Sequence, residues 1–176
     1  MIFTETALPG AYAIEPERLT DSRGFFARTF CEREFREHGL KPVLVQCSVS
    51  FNTRKGTWRG MHYQIEPFAE TKLVRCTKGA IWDVIVDLRP DSSTFGRNVG
   101  IELSAENRRM LYVPELVAHG FLTLEAESEV FYQMSQVYAP DYARGFRWDD
   151  PYFALQLPLE VSTISERDRS YPDFRP

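Results

Sequence analysis

Between Val43 and Gln136 the chain runs in short stretches that alternate apolar with polar residues, each closed by a turn-forming cluster. Val43 to Phe51 alternates, 57–64 and 72–77 are β-like, and Lys78-Gly79 is spaced as a hairpin turn leading into Ala80 to Leu88. Alternation sends successive side chains to opposite faces of a strand, so Trp82, Val84, Val86 and Leu88 share one face. Shorter strands are expected over 98–104, 108–113, 120–125 and 128–136, separated by clusters such as Arg89-Pro-Asp-Ser-Ser93. Many short strands with little helix predict an all-β chain, a β-sandwich or barrel of jelly-roll type.

The flanks fit around that body. Residues 11–19 open as an extended segment broken by Pro16; Asp21-Ser-Arg-Gly24 is a turn, and Phe25 to Phe30 returns as a strand. Cys31 to His38 is a short polar helix stopped by Gly39, with Phe35 turned inward. From Tyr138 onward Pro140, Pro151, Pro158 and Pro172 punctuate an irregular tail. Within it Gly145 to Pro151 reads as an ordered loop, because Phe146 and Trp148 are costly to leave in water. With 176 residues and no internal repeat or linker, the chain is expected to be one domain over 1–176.

Composition narrows the function classes. A net charge of -4 without a basic block argues against nucleic acid as a partner. Cys31, Cys47 and Cys76, odd in number and widely spaced, read as reduced thiols of a cytoplasmic protein. The start, Met1-Ile-Phe-Thr-Glu-Thr, has neither the basic nor the apolar region of a signal peptide, and no uncharged apolar run reaches membrane-spanning length. No membrane partner is expected.

Three histidines can be weighed singly. His38 ends a polar helix, where the dipole favours its charge. His62 lies mid-strand, which alone suggests a hydrogen-bonded core residue; Arg59 and Lys72 nearby favour a base beside two fixed cations. Strict alternation puts Arg59 and His62 on opposite faces, and a bulge at Gly60 is the device that reconciles them. His119, beside Gly120 after a loop started by Pro114, either meets a ligand or bonds local backbone. His62 and His119 are also the candidates for a two-His metal site. However, Gln64 occupies the place where a His-x-His pair supplies its second ligand, so no metal is expected. Tyr132 is either a core aromatic or a proton donor, and Tyr138 either stacks on a planar ligand or caps the core.

Taken in order, the segments resemble the dTDP-4-dehydrorhamnose 3,5-epimerase family of sugar-nucleotide enzymes, with a cupin-type β-fold. The likeness rests on Asp21-Ser-Arg-Gly-Phe-Phe26, Arg59-Gly-Met-His-Tyr-Gln64, Lys72-Leu-Val-Arg75 and Trp82 to Arg89. It continues through Ser92 to Gly96, Leu103 to Asn107, Pro114 with Ala118 to Phe121, Trp148-Asp-Asp-Pro151 and Ser165 to Asp168. The resemblance implies that His62 removes a proton from the sugar carbon beside a C-4 ketone and that Asp168 orients the imidazole. It makes Lys72 the group at the ketone oxygen, Arg59 a further cationic or binding group, and Tyr132 the acid on the opposite face. Tyr138 is implied beside the nucleotide base, with Arg23, Phe26, Gln46, His119 and Arg167 at substrate-binding positions, Arg23 reaching a neighbouring subunit's site. It implies a homodimer acting on a nucleoside-diphosphate sugar without a cofactor.

The departures from the family pattern cluster around recognition. Gln46-Cys-Ser-Val-Ser50 stands where the family commonly reads Gln-Asp-Asn-His-Ser, and Arg28 stands for a glutamate. Thr71 replaces a glycine, and Ala143 and Arg167 fall where a polar residue or a lysine is commoner. The implied catalytic set is intact. A sugar-nucleotide ketoisomerase or a non-catalytic sugar-nucleotide-binding cupin is the rival expectation.

Overall fold

The computed structural model describes residues 1–175, and its regular structure is mostly strand. In chain order come β1 (Ile2–Glu5), β2 (Tyr12–Glu15), β3 (Arg18–Asp21), β4 (Gly24–Ala27) and the helix α1 (Glu32–Glu37). Next are β5 (Gln46–Asn52), β6 (Trp58–Gln64), β7 (Lys72–Lys78), β8 (Ala80–Asp87) and β9 (Asn98–Ser104). Then follow β10 (Met110–Val113), β11 (Val117–Thr123), β12 (Ser128–Met134), β13 (Ala143–Gly145) and the helix α2 (Glu166–Arg169). The strands of the central region fall close to where alternation puts them. β1, β13 and α2 are too short to carry a periodic signal, and the sequence alone does not reveal them.

All strand pairs are antiparallel. One sheet has the order β1-β2-β10-β7-β12-β5, the other β13-β6-β11-β8-β9, and β3-β4 forms a separate hairpin. The sheets stack face to face around Val74, Cys76, Ile81, Ile85, Leu111, Phe121 and Val130, giving the expected all-β sandwich. Burial in that core pushes the Cys76 thiol up to about 11, so it stays protonated and behaves as a small apolar group.

Both outer faces are covered as well. Over the six-stranded sheet, Phe35 and Leu40 pack on Ile14, Leu73, Met110 and Tyr112, so α1 turns Phe35 inward as expected. Across the five-stranded sheet, Trp82, Val84, Val86 and Leu88 do share a face, but it points away from the inter-sheet core. Its cover is the C-terminal segment: Phe146 and Phe153, with ring centroids 4.2 Å apart, then Leu155, Leu157, Leu159 and Val161. The tail is irregular in its backbone, as read from its prolines, yet it forms a third layer of the fold. Among the described residues no helix is long and apolar enough to cross a membrane.

Candidate active site

The site begins with an irregularity in β6. His62 lies opposite His119 of β11, whereas Arg59 lies opposite Phe121, so three steps along β6 match two along β11. One extra residue is absorbed at Gly60, whose φ is +140°. Trp58, Met61 and Tyr63 therefore pack together on the outer face, while Arg59 and His62 both turn toward the cavity between the sheets. The bulge resolves the conflict posed by strict alternation. The chains approach closely there: a Cβ on Gly60 would sit 2.4 Å from Cα of Gly120.

Two adjoining cavities of about 220 and 440 Å³ open between the sheets, and His62, Lys72, Tyr132 and Arg167 line both. The larger adds Ser48, Ser50, Arg59, His119 and Asp168; the smaller adds Gln46, Glu70, Tyr138 and Arg144. Nine of the eleven sequence-predicted site residues are thus gathered at one place. Arg23 and Phe26 are not. They lie on the β3-β4 hairpin, where the Arg23 side chain is 87% exposed and Phe26 is 70% exposed. Asp21 holds Arg23 there through a 2.6 Å ion pair.

Each cavity histidine has its own carboxylate. His62 Nε2 is 2.7 Å from Asp168 Oδ1, with Asp168 almost buried and His62 still 42% exposed to an incoming ligand. Burial pushes the Asp168 carboxyl up, but the bond from His62, its charge and the Gly60 N–H together hold it below its ordinary value. A carboxylate can only accept, so Nε2 carries a hydrogen in either state of the ring, and in the neutral imidazole Nδ1 keeps the lone pair. Asp168 is set by α2, where the Ser165 hydroxyl accepts from the Asp168 N–H at 3.1 Å in an N-cap. His119 Nε2 similarly lies 2.9 Å from Asp83 Oδ2. Burial pushes the Asp83 carboxyl up, since its Oδ1 is buried without a partner among the described residues.

The remaining groups complete the walls. Lys72 Nζ donates to Glu70 Oε1 at 2.8 Å and to the His62 carbonyl at 3.2 Å, joining the two sheets. Arg59 Nε donates to Asn52 Oδ1 at 2.7 Å. Tyr132 stands edge-on to His119, and burial, reinforced by the nearby Asp83 charge, raises its phenol so that the hydroxyl stays protonated. Arg167 reaches the hydroxyls of Tyr138 and Tyr171, and Tyr171 is edge-on to His62. Gln64 is fully engaged with backbone at Phe68, Val137 and Ala139. Among the described residues no three His, Cys, Asp or Glu side chains converge as a metal site would require.

The model of the dTDP-4-dehydrorhamnose 3,5-epimerase family matches residues 5–176. The enzyme of that name from Methanothermobacter thermautotrophicus is 46% identical over 176 residues, covering 98% of this chain and 94% of its own. The chain belongs to this family. The Bacillus anthracis family member solved with TDP and PPi bound superposes with a TM-score of 0.94 at 39% identity, covering 98% of this chain and 99% of that one. The Legionella pneumophila family member, in complex with dTDP-4-keto-L-rhamnose, gives 0.90 at 34%, covering 97% and 90%. The cupin-type sandwich of the epimerase family is therefore also the fold of this chain.

Seen as an epimerase-family site, the departures have definite places. Gln46, Ser48 and Ser50 face the cavities from alternate positions of β5, Val49 borders the larger one, and Cys47 and Phe51 are exposed. Ala143 and Arg167 line the smaller cavity, whereas Arg28 lies outside, paired with Glu34. Several members of this site were missed from the sequence: Asp83 behind His119, Asn52 behind Arg59, Glu70 beside Lys72 and Tyr171 beside His62. Glu70 alone carried a local signal, being two positions from Lys72 and so on the same side of an extended chain.

Proposed function

We propose that this protein epimerises a nucleoside-diphosphate 4-keto-6-deoxy sugar, a dTDP sugar in the first instance, at C-3, C-5 or both. The observation that carries the reading is the ordered array of His62 on one sheet with Asp168 beside it from α2, Tyr132 on the other sheet and Lys72 bridging the two. In this mechanism His62 Nδ1 takes the proton from the carbon beside the ketone, and the electron pair moves onto the ketone oxygen as an enolate. Lys72 donates a hydrogen bond to that oxygen, with Arg59 adding positive potential. Inversion needs a proton from the other face. Tyr132, a neutral phenol on the facing sheet, gives its proton to the same carbon as the enolate collapses to the ketone. Side chains handle every proton and charge, so the proposal includes no metal and no cofactor.

Arg144 and Arg167 beside Tyr138 suit a diphosphate and a flat base in the smaller cavity. The TDP and dTDP-sugar complexes of the two relatives support that ligand class. The three free thiols fit a cytoplasmic setting. A homodimer is part of the proposal, because the β3-β4 hairpin leaves Leu19 69% and Phe26 70% exposed, and crossing to a partner would bury them. That crossing would also bring Arg23 and Phe26 to a neighbour's site. Sedimentation equilibrium is expected to give twice the chain mass; a monomer would remove this part of the proposal.

Proton NMR with dTDP-4-keto-6-deoxyglucose in deuterated water tests the activity. Deuterium is expected to wash in at C-3, C-5 or both, both carbons marking a double epimerase and one a monoepimerase. No wash-in at either, with nucleotide sugar bound, would overturn the reading in favour of a binding protein. A shift of the ketone to C-3 would do so in favour of a ketoisomerase.

A further inference from the structure

Glu70 lies just before β7, and its Oε1 accepts from Lys72 Nζ with both side chains nearly buried, 8% and 13% exposed. The chain has four lysines, and the ion pairs of Lys41 with Glu115 and Lys78 with Glu127 lie on the surface, where solvent weakens them. The pair at Lys72 differs in kind. An ammonium presents three N–H donors in a tetrahedral array, and here one goes to Glu70 and a second to the His62 carbonyl. Two fixed bonds leave the third with a single direction. Glu70 lines only the smaller cavity, whereas Lys72 also lines the larger one with His62, Tyr132 and His119, so a donor not held by Glu70 or the His62 carbonyl is available to that space.

We propose that Glu70 is a positioning residue that aims the free N–H of Lys72 at the substrate oxygen where negative charge collects. A lysine stem is long and flexible, and without a second anchor the ammonium would sample many orientations around the His62 carbonyl. Stabilisation of a developing charge depends on a donor already oriented before the reaction, so the benefit falls on the chemical step and not on substrate capture. The identity of the oxygen rests on the epimerase reading; the restraint on Lys72 does not.

Two variants and one turnover-free measurement test this. Glu70→Ala is expected to lower kcat by about tenfold while KM stays within about twofold. Glu70→Gln, which keeps an oxygen acceptor but no charge, is expected to recover kcat to within about threefold of wild type. Unchanged kcat in Glu70→Ala, a rise confined to KM, or a Glu70→Gln protein as impaired as Glu70→Ala would each overturn the aiming role. The second measurement is NMR of substrate-free protein carrying lysine labelled with carbon-13 at Cε. In wild type and Glu70→Gln the two Hε protons of Lys72 are expected to be inequivalent, and in Glu70→Ala to merge. Well-dispersed spectra of each variant show that it has folded. If the wild type exchanges no deuterium, the epimerase reading fails, and the Lys72 signals still decide whether Glu70 restrains it.

Discussion

Replacing His62 by alanine is expected to lower turnover by about a thousandfold or more with the fold retained. The loss should fall on kcat, because the diphosphate and base would be held elsewhere, by Arg144, Arg167 and Tyr138. Asp168 also loses its partner, and a hydrogen bond to a charged group in such a setting is worth about 1.5–3 kcal/mol. The pH dependence of stability should change with it. In the wild type the Asp168 carboxyl titrates below its ordinary value, so its stabilising contribution is complete above that ordinary value and disappears as pH falls through the lowered one. Without His62, burial is left less opposed, and this acid-sensitive part of the stability should shrink. Urea denaturation at several pH values reads the second effect, and deuterium exchange into substrate the first. A His62→Ala protein within about tenfold of wild-type turnover would remove His62 as the base.

Gly60→Ala is expected to damage both stability and chemistry. The residue sits at φ +140°, and its new Cβ would fall 2.4 Å from Cα of Gly120 and 3.1 Å from the His119 carbonyl oxygen. Backbone on both sides leaves nothing flexible to give way, and a cost of about 3 kcal/mol or more follows. Because the bulge orients Arg59 and His62 together, a shift of about 1 Å should cost roughly a hundredfold in turnover of the folded fraction. Gly39→Ala separates the causes, since Gly39 also has positive φ, +70°, but nothing within 4 Å and no place in the site. It should lose some stability and keep full activity. Calorimetry with turnover on both variants checks this; a Gly60→Ala protein matching Gly39→Ala in both respects would contradict the role of the bulge.

The fold was legible because its signal is local. Alternation located β5, β6, β8, β9 and β12 closely, and the shared face of Trp82, Val84, Val86 and Leu88 followed from spacing alone. What covers that face was not legible, because prolines break the tail while Leu155, Leu157, Leu159 and Val161 still alternate. The site divides in the same way. Arg59, His62 and Lys72 lie close in the chain, and the need for a bulge at Gly60 could be stated from geometry. Asp168 is 106 positions from His62, so only the family likeness, and no local pattern, pointed to it. Asp83 stayed hidden for a different reason: its neighbours on β8 are apolar core, and nothing along the strand marks one aspartate as the partner of His119. Pairing between distant strands supplies what spacing cannot.

The C-terminal segment both covers an outer sheet face and delivers Asp168, which joins two events usually kept apart. During synthesis His62 emerges early, and its strand can pair with β11 before the residues beyond Val161 exist. The imidazole then has no carboxylate and the outer face no cover. On the proposed mechanism, competence to move a proton therefore arrives with the last stretch of chain, the one whose preceding residues cover the outer sheet face. A chain ending near Val161 would lack both Asp168 and Arg167, so on that mechanism it would lose the dyad together with part of its hold on the diphosphate.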